Sequence, residues 1–137
     1  MPQSTILEIN TGRVASVRVA PNEDLVEALD QAAARVGFRR ALVRSGLGSL
    51  IDATFVGAEG KPHRIEGPAV ELLSLSGEIS LEEEGVEPAG VSGVVGDPTG
   101  AVWAGRFVRG LNPVCVTIEA VLEELLAAPE EDWRRPF

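Results

Sequence analysis

The chain has 137 residues and a formal charge of −9, from 12 Lys and Arg against 21 Asp and Glu. Its apolar share of 45% suffices for one folded core and sets it apart from disordered chains. One His and one Cys exclude any zinc site built from several such residues of one chain, and the lone Cys115 excludes an internal disulfide.

Location and partners are narrowed by the same numbers. The N-terminus MPQSTILEIN has no basic segment followed by an apolar stretch, and no apolar run has the length of a membrane span. A cytoplasmic protein without membrane contact is expected. Basic residues come in pairs at most, Arg39-Arg40 and Arg134-Arg135, whereas affinity for a phosphate backbone requires a concentrated basic surface. Nucleic acid is therefore not the expected partner, and the surplus acid reads as a solubilising surface.

In chain order, residues 5–9 and 14–19 read as strands, joined by Asn10-Thr11-Gly12-Arg13 with the chemistry of a tight hairpin turn. Pro21-Asn22 opens a helix with Asn22 as N-cap and Gly37 as its stop. Leu25, Leu29, Ala32, Ala33 and Val36 fall on one helical face and should pack on a sheet. Residues 40–45 predict a short strand leading into a turn at Gly46-Leu47-Gly48-Ser49, and 50–56 predict another strand. The stretch 57–68 reads as a turn-rich loop, 70–79 as a strand and 82–90 as an acidic loop. Residues 91–95 and 101–108 flank the hairpin turn Asp97-Pro98-Thr99-Gly100. Residues 114–120 form the last predicted strand, 121–126 a helical turn, and the tail 127–137 carries Trp133 and Phe137 as candidates for docking on another subunit. The sum is a strand-rich α+β domain with one principal helix.

Several blocks occur in a telling order: Val19-Ala20-Pro21-Asn22-Glu23-Asp24-Leu25, Ser45-Gly46-Leu47-Gly48-Ser49-Leu50, Glu71-Leu72-Leu73-Ser74-Leu75-Ser76-Gly77, Asp97-x-x-Gly100 and Glu119-Ala120-Val121-Leu122. From about residue 13 to 126, the chain resembles the PPC domain (plants and prokaryotes conserved), which accompanies AT-hooks in plant nuclear proteins. The resemblance implies a single domain over 1–137, with a strongly bent, largely antiparallel sheet and one principal helix, assembled as a homotrimer. It also brings the label of DNA-binding protein, yet the chain has no Arg-Gly-Arg-Pro hook and no basic arm. Many prokaryotic members carry His-x-His before the Asp-x-x-Gly turn and Gly-Gly-His after it, a candidate metal cluster. Here those positions fall on Gly90, Ser92 and Arg106. Arginine is permanently cationic and has no lone pair to give a metal, so neither metal nor other cofactor is expected, and Arg106 favours an anion instead.

Glu71 lies in phase with Leu73, Leu75 and Ile79, an odd place for a carboxylate, which reads as a paired or backbone-bonded charge, or else as a general base or ligand contact. Arg106 shares a strand face with Val102, Ala104 and Val108, where its planar fork would hold a carboxylate or phosphate, or pair with Glu71 or Glu119. His63, within Lys61-Pro62-His63-Arg64, is an acid–base candidate or an ordinary exposed loop histidine. Cys115 reads as a structural thiol, and the glycines at 46 and 48 as backbone turning rather than a phosphate cradle. Ser74, Ser76 and Ser80 share one strand face. The expected function is that of a non-enzymatic, self-associating binding or regulatory domain. The alternative is a metal-independent small-molecule enzyme or anion-binding protein with a pocket near Arg106, Glu71 and His63.

Overall fold

The structure, a computed structural model, describes residues 3–81 and 90–126. The elements run β1 (Asn10–Val19), α1 (Leu25–Val36), β2 (Arg40–Leu50), β3 (Ala53–Val56), β4 (Pro62–Ile65), β5 (Val70–Ser80), β6 (Gly90–Gly96), β7 (Val102–Phe107) and β8 (Val114–Leu126). The eight strands form one open sheet in the order β1-β8-β2-β5-β6-β7-β3-β4, and every paired neighbour is antiparallel. One helix and one eight-stranded antiparallel sheet make the expected α+β class. Among the described residues no helix is long and apolar enough to cross a membrane.

The helix begins two residues later than expected. Asp24, not Asn22, is the N-cap: its carboxylate accepts from Glu27 N at 3.0 Å and from Asn112 N at 2.8 Å. Asn22 instead turns the chain with φ 69°, and its N–H donates to Val114 O. The cap thus serves the helix and a distant loop together, which local propensity alone does not reveal. Gly37 closes the helix in the left-handed region at φ 81°. Leu25, Ala28, Leu29 and Ala33 are buried, Ala32 is half-buried, and Val36 is exposed. The four buried residues join one core cluster with Phe38, Leu50, Leu72, Ile79, Val95, Phe107, Ile118 and Leu122, and Ala32 packs against it. Asn112 is fully buried within this region; it donates to Val108 O at 2.7 Å and accepts from Thr54 N at 2.7 Å, so its amide is satisfied by loop and strand backbone.

Five expectations about local structure change. No strand occupies 5–9, and Asn10–Arg13 is not a hairpin turn; these residues start β1, whose pairing with β8 is irregular between Thr11 and Val14. A Cβ on Gly12 would come within 2.4 Å of the Glu124 carboxylate, which accepts from Arg13 N at 3.1 Å, so the glycine leaves room for that side chain. The Gly46–Ser49 segment likewise runs inside β2, whose register against β8 shifts between Val43 and Ser45 and again between Gly48 and Leu50. A Cβ on Gly48 would meet Thr117 O at 2.1 Å. The 57–68 loop contains strand β4. Residues 121–126 are strand, because β1 and β2 flank β8 on both sides and that pairing overrides the helical pattern of Leu122 and Leu125. The acidic loop, save Gly90, and the tail with Trp133 and Phe137 lie outside the described residues.

Candidate ligand-binding site

The β6–β7 hairpin sets the site. Asp97 fastens its turn: Oδ1 accepts from Thr99 N at 2.8 Å, Thr99 Oγ1 at 2.6 Å and Ala101 N at 3.0 Å, while Oδ2 accepts from Trp103 Nε1 at 2.9 Å. These donors, Thr99 and Trp103 foremost, hold the Asp97 carboxyl down at about 2. From the turn the register runs without a slip, with Gly96 opposite Val102, Val94 opposite Ala104 and Ser92 opposite Arg106.

Ser92 in turn faces Ser76 on β5, and Arg106 faces Val56 on β3. One row of side-chain positions, Ser76–Ser92–Arg106–Val56, therefore crosses four neighbouring strands. It lies in an open groove of about 480 Å³, lined also by Gly57, Ala58, Ser74, Gly93, Val94, Ala104 and Gly105. The aliphatic stem of Arg106 runs over Gly90, where a Cβ would sit 3.0 Å from Arg106 Cδ. Among the described residues Arg106 has no ion-pair partner, while Arg13, Arg18, Arg40, Arg44, Arg64 and Arg109 face Glu124, Glu119, Glu78, Glu123, Asp52 and Asp30.

Glu71 and His63 do not join Arg106. Glu71 is exposed, out of phase with Leu75 and Ile79, because β5 slips against β6 between Leu72 and Ser74 and the buried positions become Val70, Leu72, Leu75 and Ile79. It pairs with Gly96, whereas Arg106 is aligned with Ser76, roughly 15 Å further along the strands. The pairing of Glu71 with Arg106 within one chain is thereby rejected, and Glu119 is taken by Arg18. His63 packs against Trp103, ring centroids 5.1 Å apart. Trp103 is three residues from Arg106 on a regular strand and so belongs to the opposite face. Cys115 is half-buried. Ser80 pairs with Arg40 and stays outside the groove, while Ser74 and Ser76 line it.

Sequence reasoning missed the alliance of Arg106 with Ser92 and Ser76. The signal was present: counting symmetrically outward from the Asp97–Gly100 turn places Ser92 opposite Arg106. The same convergence tests the metal expectation. Gly90, Ser92 and Arg106 do come together, yet they offer no side chain, a hydroxyl and a permanent cation. These residues do not fit a metal ion, and among the described residues no group of three or more His, Cys, Asp or Glu could hold one.

The same open face carries apolar side chains beside the groove. Leu47, Leu73 and Val102 are 66%, 57% and 63% exposed, far more than the small apolar groups of a settled surface require. Gly96 lies between Leu73, against which its Cβ would rest at 3.7 Å, and Val102, its cross-strand partner.

Comparison with known proteins agrees with this architecture. The fold matches a PPC protein from Pyrococcus horikoshii at 23% identity, covering 91% of this chain and 87% of that one with a TM-score of 0.72. A metal-containing protein from Archaeoglobus fulgidus matches at 20% identity, covering 89% and 86% with a TM-score of 0.70. A Ralstonia eutropha protein provisionally described as DNA-binding matches at 20% identity, covering 81% and 76% with a TM-score of 0.64. No curated protein sequence matches the chain. The family model of the Plants and Prokaryotes Conserved (PCC) domain matches residues 7–126, and the chain belongs to that family, elsewhere abbreviated PPC.

Proposed function

We propose that this chain is a single, non-enzymatic binding domain of the cytoplasm, which assembles with copies of itself into a trimer and takes a small ligand in the groove at Arg106. The observation that carries the reading is the exposed apolar group Leu47, Leu73 and Val102 on the open face of the sheet. One helix cannot cover both faces of an eight-stranded sheet, and burying such side chains against a second copy removes them from water at roughly 25 cal/mol per Å². A binding role suits the groove: it gathers hydroxyls and a guanidinium, while the carboxylate of Glu71, the imidazole of His63 and the thiol of Cys115 lie elsewhere. Sedimentation velocity on the wild type and on Leu73→Asp tests the assembly. The variant is expected to sediment as a smaller species with an unchanged circular dichroism spectrum. Identical sedimentation of the two would remove this face from the interface.

Nucleic acid is not the partner in this reading, despite the description given to the Ralstonia protein. Arg13, Arg18, Arg40, Arg44, Arg64 and Arg109 each face a carboxylate, and the chain as a whole is acidic. Incubation with duplex DNA at low salt is expected to give no mobility shift; a shift that fades steeply with added salt would reverse this.

A further inference from the structure

We propose that the groove recognises the carboxylate of a small organic acid, with Arg106 supplying the charge and Ser92 and Ser76 the accompanying hydroxyl donors. The inference rests on reading the groove as a ligand site, and it names what that ligand is. Three observations lead to it.

The first is electrostatic. In a chain of net charge −9, Arg106 has no carboxylate beside it among the described residues, while its stem is supported along Gly90. A guanidinium presents a planar pair of N–H donors that matches the two oxygens of a carboxylate. The second is stereochemical. Ser92 stands opposite Arg106 on the adjacent β6, and Ser76 stands opposite Ser92 on β5, one strand further along the same row, so an oxyanion held by the fork has one hydroxyl donor beside it and a second beyond. Cross-strand neighbours on one face lie about 5 Å apart, so Ser92 is one such step from Arg106 and Ser76 two, a span that a small organic acid and the long arginine side chain cover together. The third concerns the rest of the lining. Val56, Ala58, Val94 and Ala104 are apolar and the glycines are small, which suits a short hydrocarbon body attached to the anionic end. One cation among many acids balances a monoanion better than a phosphate carrying nearly two charges, so a carboxylate is favoured over a phosphate.

The test uses the full chain, labelled with ¹⁵N, titrated with sodium butyrate, sodium phosphate and sodium chloride at matched ionic strength. Butyrate is expected to shift the amide resonances of Ser76, Ser92 and Arg106 saturably at millimolar concentration, and phosphate to bind more weakly. Arg106→Ala should weaken butyrate by about tenfold or more, because a charge-assisted hydrogen bond is lost. Arg106→Lys should recover only part of it, since the ammonium keeps the charge without the fork. Ser92→Ala should cost about fivefold. Absence of a saturable butyrate shift, equal affinity in Arg106→Ala, or tighter phosphate binding would each overturn the proposal. So would butyrate binding that emerges only in Glu71→Gln, which would mean that Glu71 of a second copy already occupies the fork. Sedimentation of the wild type separates the two readings: a wild type that assembles but gives no saturable butyrate shift leaves self-association standing and removes only the ligand.

Discussion

Ser92 and Arg106 stand directly opposite each other across β6 and β7, and their alignment is inherited from Asp97 at the turn that joins those strands. The turn therefore controls the geometry of a groove that begins several residues away.

Its titration yields a pH prediction. The folded carboxyl sits at about 2, below its ordinary 3.8, because Thr99 and Trp103 donate to the ionised form. A depressed folded value means that the stabilisation is complete above the unfolded value and is lost as pH falls from about 4 through about 2. Acid unfolding of the wild type followed by Trp fluorescence should steepen in this window. Asp97→Ala should lower Tm at pH 7 and flatten the dependence between those pH values; an unchanged acid limb would contradict the role given to this turn.

Asn112 yields a stability prediction. Its side chain is fully buried and bonded to the backbone of Thr54 and Val108, while its own N–H is held by the helix-capping Asp24. Asn112→Ala would leave buried backbone groups without partners and open a small void. A loss of about 2–4 kcal/mol is expected in urea unfolding. Asn112→Asp, which keeps the acceptor for Thr54 N but not the donor for Val108 O, should also be destabilising. A change below about 0.5 kcal/mol in the alanine variant would show the network to be idle.

Metal removal yields a third. Gly90, Ser92 and Arg106 offer no ligand set, so prolonged chelation should leave Tm and the sedimentation profile unchanged. A fall in Tm on chelation, restored by zinc, would contradict the assignment of this groove to an anion.

Much of the fold was legible from the residues, and where it was not the reason is specific. The helix, the Asp97 hairpin and the long strand β5 carry strong local signals, namely periodicity, a glycine stop at Gly37 and turn chemistry. The misplaced features share another cause. Gly12, Gly46 and Gly48 resemble turn residues, but in the sheet they permit the close approach of Glu124, Leu75 and Thr117. Such uses depend on neighbours more than a hundred residues away in the case of Gly12, or about seventy for Gly48, so no local pattern reports them. The slip between Leu72 and Ser74 had a similar effect on the site. Uninterrupted alternation put Glu71 with the core residues, whereas one irregularity moved it to the open face and aligned Ser76 with Arg106.

The account depends most on the open face of the sheet being closed by further copies of the chain, with Leu47, Leu73 and Val102 in the contact. Size-exclusion chromatography with light scattering on the wild type at micromolar concentration measures this directly. The predicted mass is three times that of the 14.5 kDa chain. A single species of 14.5 kDa across the concentration range would contradict it.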